Sequence, residues 1–152
     1  MYTREELKLL KRDFWNGFEA YAASLPAFAG RRKHFMLYNT RLHGAEMKFD
    51  ATRDGAYVIL EFNDRDRARQ ERLFDHFAAR KALFPEEMAG RLLWERHFVR
   101  ESGQLVARIF TFRPGLDIHR REHWPKFYAF MAADMLLMES AFMEIKESWP
   151  GE

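Results

Sequence analysis

Three polar residues near the middle of the chain are of the types that a metal-dependent nuclease uses. They are Lys48 and Asp50 in one segment and Glu61 in the next. In such enzymes, acids on neighbouring strands hold a metal ion that activates water, and a lysine steadies the attacking oxygen or the phosphate. That motif places lysine two residues after the second acid, where this chain has Asn63. The main interpretation is therefore a cross-strand ion pair between Lys48 and Glu61. A metal-dependent nuclease of restriction-endonuclease-like type, with an incomplete motif, is the alternative.

A basic stripe along a predicted helix is the second candidate site. Its members recur at spacings of four, three, four and four residues, so they share one narrow side of the helix: Arg65, Arg69, Arg72, His76 and Arg80. A row of guanidinium groups about 22 Å long can follow a nucleic-acid backbone or bind an acidic protein. The same row is also typical of the basic flank of an amphipathic helix, whose charged ends stay in water. Both interpretations stay open.

The segment from His119 to His123 matches the His-x-x-Glu-His pattern of inverted zinc proteases. That chemistry needs both histidines on one face of a continuous helical turn. Pro125 argues against such a turn, because its ring clashes with the backbone four residues earlier. The chain also has no cysteine, which excludes thiolate zinc sites and cysteine nucleophiles. We expect no metal and no cofactor, and the lack of a complete catalytic set favours a protein that is not an enzyme.

The hydrophobic pattern predicts the elements that position these residues. A capping box at Thr3 opens a helix that ends near Pro26. A first strand is predicted at 33–38, a second at 45–50 and a third at 57–62. Asp54-Gly55 predicts a type I′ turn between the second and third strands. With that turn, Phe49 faces Leu60 and Lys48 faces Glu61. The apolar side of the hairpin then comprises Met47, Phe49, Val58, Leu60 and Phe62.

The remaining pattern completes an α+β fold. A second helix is predicted from about Arg65 to Phe84, and a hairpin from strands at 92–99 and 105–112 follows. The last helix holds Pro125 in its first turn and runs to about Ser148. We therefore expect residues 1–152 to form a single α+β domain in the order helix, three strands, helix, two strands, helix. Its sheet is predicted to be five-stranded, antiparallel or mixed, with the helices packed against it.

The last predicted helix is apolar on more than one side. Its main stripe predicts a core face: Phe127, Met131, Met135, Met138, Phe142, Ile145 and Trp149. Further apolar residues fall outside that stripe: Tyr128, Phe130, Leu136, Leu137 and Met143. Such a helix is either deeply buried or shared with another chain. The second group is therefore the predicted interface of a homodimer.

Composition limits the classes of partner. The formal net charge is +2, which by itself makes no case for nucleic acid, so any such case must rest on the arrangement of the charges. The charged N-terminal residues do not resemble a secretory signal, and no run of about 18 apolar residues predicts a membrane span. Together with the lack of cysteine, this predicts a cytoplasmic protein without a membrane partner.

Landmarks along nearly the whole chain resemble a bacterial family known as domain-of-unknown-function family 4268. They are Asp13-Phe14-Trp15 with Phe18, Glu61, Leu73-Phe74 with Phe77, Trp94-Glu95, Arg108-Ile109-Phe110, and Arg121-Glu122-His123-Trp124-Pro125. The family has no assigned activity or catalytic residues. Its longer members look like nuclease-type domains with this module at the C-terminal end, and the resemblance thus implies a DNA-handling or defence context. The expected function is a non-catalytic binding or assembly module, homodimeric, with nucleic acid or an acidic protein as the partner of the basic stripe.

Overall fold

Four antiparallel strands form one sheet in the computed structural model, which describes residues 2–28 and 40–151. The strands are β1 (Ala45–Ala51), β2 (Gly55–Phe62), β3 (Leu93–Val99) and β4 (Leu105–Pro114), arranged in the order β1-β2-β4-β3. The helices are α1 (Arg4–Ala23), α2 (Arg67–Ala78), the one-turn α3 (Glu86–Ala89) and α4 (Trp124–Lys146). None of the helices in the described part of the chain has the length and apolar character needed to cross a bilayer.

The α+β class is confirmed, but the predicted strand number and element order are not. The described residues contribute four strands, and the predicted strand at 33–38 lies outside them. The predicted second helix is also too long. α2 ends at Ala78, and a 3₁₀ turn and α3 follow it. The apolar sequence pattern extends to Phe84 because Phe84 is buried in the core, although it lies beyond the end of α2. Since all strand pairs of the described sheet are antiparallel, the mixed alternative is wrong for them.

The predicted register of the first hairpin is wrong by two residues. Phe49 lies opposite Val58, and Lys48 lies opposite Ile59 rather than Glu61. The turn is formed by residues 53–54 instead of 54–55, with Thr52 Oγ1 accepting a hydrogen bond from the Gly55 amide at 3.2 Å. Gly55 is already part of β2, where a Cβ atom would collide with the backbone of β4. Because the shift is an even number of residues, each side chain keeps its predicted face.

The three longer helices pack on the same face of the sheet. Phe18 of α1 meets Phe49 of β1 at 4.9 Å between ring centroids, and Phe77 of α2 meets Phe62 of β2 at 5.2 Å. The predicted apolar stripe of α4 is buried from Phe127 to Ile145. The predicted capping box of α1 also forms, with Thr3 Oγ1 accepting from the Glu6 amide at 3.1 Å. The opposite face of the sheet, called the open face below, carries none of the described helices.

A buried carboxylate fastens α4 to the sheet. Asp134 on α4 is 4% exposed, and its Oδ2 accepts a hydrogen bond of 2.7 Å from the hydroxyl of Thr111 on β4. Arg91, between α3 and β3, donates to both oxygens of Asp134 at 2.7 and 3.0 Å. A buried charge is tolerated only when it is paired and hydrogen-bonded. The Arg91–Asp134 contact therefore ties the segment before β3 to α4.

Replacing Arg91 by alanine should test this contact. We expect Arg91→Ala to lower the free energy of unfolding by about 3 kcal/mol, because Asp134 would keep its burial and lose its counter-ion. Urea unfolding followed by circular dichroism measures the change. Arg12→Ala, which removes an exposed arginine of α1, is the matched control and should stay within about 0.5 kcal/mol of wild type. Equal losses in the two variants would contradict a special role for the Arg91–Asp134 pair.

Candidate functional site

The open face is a grid of side chains that the strand register arranges in three rows. Read in the order β1, β2, β4 and β3, the first row is Asp50, Tyr57 and Phe112, the second is Lys48, Ile59, Phe110 and Leu93, and the third is Glu46, Glu61, Arg108 and Glu95. Apolar rings therefore dominate one end of the face, and charged groups dominate the other.

Glu61 is the centre of an ion network at the charged end. Its carboxylate is almost fully buried and pairs with Lys48 Nζ at 2.9 Å. Arg100, in the turn between β3 and β4, donates from Nε at 3.2 Å and also from Nη2. Asn63 Nδ2 donates to Glu61 at 2.9 Å and to Glu46 at 3.0 Å. Glu46 and Glu61 face each other directly, so these donors also separate two like charges.

Two opposing effects set the pKa of Glu61. Burial is the largest single effect and raises the pKa, since a charged carboxylate loses its water. The hydrogen bonds from Arg100, Lys48 and Asn63 lower it, and together they bring the pKa of Glu61 below its ordinary value. The carboxylate is therefore ionised, and its charge is neutralised by the protein's own donors.

The predicted nuclease residues Lys48, Asp50 and Glu61 line one cleft of about 420 Å³ on the open face, and within it Lys48 pairs with Glu61 rather than with Asp50. Asp50 is exposed and accepts a hydrogen bond of 2.9 Å from the Ala51 amide. Asp50 and Glu61 lie two rows apart on the grid, which is about 13 Å along the strands. One metal ion cannot bridge that separation, whereas Lys48 is drawn into the pair with Glu61. Within residues 2–28 and 40–151, no three His, Asp or Glu side chains lie close enough together to hold a metal ion.

The basic stripe is largely engaged within the protein. Arg69 Nε lies 3.0 Å from Asp64, and Arg80 donates to the His76 carbonyl at 3.0 Å. The ring of His76 packs at the end of α4, where Nε2 is 3.1 Å from the Ile145 carbonyl, and burial is the main cause that lowers its pKa. Of the five predicted residues, Arg65 and Arg72 are exposed. Binding of nucleic acid or of an acidic protein by the whole stripe stays a prediction.

The His-x-x-Glu-His segment does not form one helical turn. Residues 121–123 make a 3₁₀ turn, and α4 begins only at Trp124. Nδ1 of His123 accepts a hydrogen bond of 2.9 Å from the Asp117 amide, which turns this nitrogen towards the backbone. The segment therefore shapes the entry into α4, as the position of Pro125 predicts.

The surplus apolar residues of α4 are explained mainly by burial within the chain. Tyr128 was predicted to lie in a dimer interface, but it is 8% exposed and its hydroxyl donates to the Phe14 carbonyl of α1 at 2.7 Å. Phe130, Leu136 and Leu137 are partly buried against the core, and Met143 is exposed. α4 is apolar on several sides because β2 and α1 both pack against it. Dimerisation through this helix stays a prediction.

An aromatic cleft on the open face was missed by the sequence reasoning. It has a volume of about 440 Å³ and is lined mainly by Tyr57, Leu93, Glu95, Arg108, Phe110 and Phe112. Tyr57 and Phe112 stack with ring centroids 4.5 Å apart, and both rings are partly buried. The available signal was β4 itself, in which Ile109 points to one face of the strand while Phe110 and Phe112 point to the other, so that large apolar residues lie on both faces.

Arg108 separates the aromatic cleft from the charged end. Its guanidinium lies 3.5 Å from the ring centroid of Phe98 and 4.3 Å from that of Phe110. Its Nε donates to Glu95 Oε1 at 2.7 Å. Arg108 is thus a cation held between aromatic rings and neutralised by a carboxylate, an arrangement that is stabilising when partly desolvated.

These features define a two-layer α+β protein with helices on one face of an antiparallel sheet and an aromatic, charged face on the other. The model of the family described as Domain of unknown function (DUF4268) matches residues 10–146, and the chain belongs to that family. The resemblance seen in the sequence is confirmed. No curated protein and no solved structure matches the chain significantly.

The ion network makes a prediction about pH. Because the pKa of Glu61 is lowered in the folded protein, its contribution to stability is present above the ordinary value of 4.5 and is lost as the pH falls through the lower folded value. Glu61→Gln should lower the free energy of unfolding at pH 7 by roughly 2–3 kcal/mol, since Lys48 and Arg100 lose their counter-ion. The difference from wild type should shrink below pH 4.5.

Urea unfolding between pH 3 and pH 7 measures both effects. Glu144→Gln, at an exposed position of α4, is the control and should follow the wild-type profile. A constant difference between Glu61→Gln and wild type over the whole pH range would show that the ionised form of Glu61 is not what stabilises the fold.

Proposed function

We propose that this protein is a non-catalytic binding module whose open sheet face docks a basic, partly apolar segment of another protein. The observation that carries the proposal is the aromatic cleft, an exposed arrangement of rings and carboxylates on a face that no described helix covers. Aromatic side chains offer a large contact area at low entropic cost, and they are enriched at interaction surfaces.

The charge balance of the open face favours a cationic partner. Its grid contains four acids (Glu46, Asp50, Glu61 and Glu95) and two bases (Lys48 and Arg108), and Arg100 adds a third base through its contact with Glu61. All three bases are already in ion pairs with acids of the same face. The charge left over is therefore negative, and it lies on the more exposed acids. Complementary charge steers a basic segment towards such a face and repels a phosphate backbone.

The state of two buried carboxylates supports a binding role rather than catalysis. Glu61 and Asp134 each have cationic partners that neutralise them. A general acid or base needs a group that can exchange its proton near neutral pH, and the pKa of Glu61 is lowered away from that range. The phenylalanine rings of the cleft can act only by contact.

Peptide binding tests the proposal. The probe is a fluorescein-labelled 12-residue peptide rich in arginine and leucine, and its control has glutamate in place of each arginine. We expect the basic peptide to bind at least tenfold more tightly by fluorescence anisotropy. Phe112→Ala and Tyr57→Ala should each weaken that binding roughly 5- to 30-fold, because truncating a central aromatic contact costs about 1–2 kcal/mol.

Leu9→Ala is the matched control, since it removes an exposed apolar side chain of α1, away from the sheet, that is 49% exposed. It should leave the affinity unchanged. Equal affinity for the two peptides would overturn the proposal. Binding of a labelled 12-nucleotide single strand that Phe112→Ala abolishes would overturn it too, and would assign the open face to nucleic acid.

A further inference from the structure

Arg108 shows what the rings of the open face can hold. Its guanidinium lies over Phe98 and Phe110, and Glu95 supplies the counter-charge through Oε1. The side chain is only 14% exposed, so this cation has left most of its water behind. The combination of ring faces and one carboxylate is therefore sufficient on this sheet to bind a guanidinium group.

Aromatic rings and a carboxylate also lie together at the other end of the open face, where the described residues supply no cation. Asp50, Tyr57 and Phe112 are direct neighbours on β1, β2 and β4. Tyr57 and Phe112 stack on each other, and Asp50 forms no ion pair with any of the residues that the structure describes. No cationic side chain of the described residues lies over Tyr57 or Phe112. The second position therefore has the rings and the carboxylate of the first, but not its arginine.

The surroundings of this position are electrically negative. The pKa of the Tyr57 hydroxyl is raised, first by burial and then by the charge of Asp50, with smaller contributions of the same sign from Asp54 and Glu95. Arg108 opposes them, but its own charge is paired with Glu95. One oxygen of Glu95, Oε2, has no hydrogen-bond partner among the described residues, so the carboxylate can accept a further donor.

We infer that Asp50, Tyr57 and Phe112 bind one guanidinium group, supplied by an arginine side chain of the partner segment. Because Phe112 covers one face of the Tyr57 ring, the group stacks on the other face, which is turned towards β1, and donates to Asp50. A guanidinium is favoured over an ammonium because it is planar, is less strongly hydrated and can stack on a ring while it donates in its own plane. The inference rests on the proposed function and names the side chain that the open face recognises.

Small ligands test the site separately from peptide docking. The probes are ethylguanidinium chloride and the neutral ethylurea, which has nearly the same shape, both at up to 20 mM in a titration followed by ¹H–¹⁵N correlation spectra. We expect ethylguanidinium to shift the amide signals of Asp50, Tyr57 and Phe112 saturably, and ethylurea to bind at least fivefold more weakly. Asp50→Asn should weaken ethylguanidinium binding three- to fivefold, whereas Glu144→Gln, at an exposed acid of α4, should not change it.

The peptide arm uses the basic peptide with lysine in place of each arginine. The arginine peptide should bind at least threefold more tightly to wild type, and Asp50→Asn should remove that preference. Peptide binding without any shift of the three amides by ethylguanidinium, or with equal shifts by ethylurea, would overturn the guanidinium site and leave the proposed function standing. No binding of either peptide or either small probe would overturn both. Asp50 is exposed, so its variant should fold, and its unfolding curve checks this.

Discussion

A buried carboxylate must keep its donors, and in this sheet that requirement falls on Glu61. Its three partners come from different parts of the chain: Lys48 from β1, Asn63 from the end of β2 and Arg100 from the turn after β3. Each would leave a costly unpaired charge or dipole if it moved away. The network therefore fixes the position of the β1–β2 hairpin relative to the β3–β4 hairpin. Within the sheet these two hairpins are paired along β2 and β4. Arg100 also bonds Gln104 at 2.7 Å, which extends the constraint into the second hairpin's turn.

Asp134, another buried carboxylate, applies the same constraint on the opposite side of the sheet. Asp134 joins α4, β4 and the segment before β3 through Thr111 and Arg91. With Glu61 and Asp134 neutralised from within, Lys48 and Glu61, two of the three charged residues that first suggested chemistry, are used to hold the fold. The part of the sheet where rings and acids are not balanced internally lies around Tyr57, Phe112 and Asp50, and it is there that the proposed partner would bind.

This division explains why reasoning from residue types pointed to a different part of the chain from the aromatic cleft. Lysine, aspartate and glutamate drew attention because they can do chemistry, yet Lys48 and Glu61 neutralise each other, and Asp50 lies two rows away. Tyr57, Phe110 and Phe112 drew none, because aromatic residues in a strand are most often core. Only the sheet order shows that these rings come together on the face opposite the helices. The partners of the basic stripe were equally hidden. His76 contacts the end of α4, which is distant in sequence, and Arg69 pairs with Asp64, which lies before α2.

The sequence by itself determined the α+β class, the capping box of α1, the core stripe of α4 and the face on which each residue of the first hairpin lies. These properties depend on local period and local hydrogen bonds, which a few neighbouring residues specify. The tertiary structure alone decided the hairpin register, the end of α2 and the partners of the charged groups. The register depends on the close approach of β4 to Gly55, and a charge selects its partner only after the strands are adjacent. Both are contacts between residues far apart in the chain, so no local pattern records them.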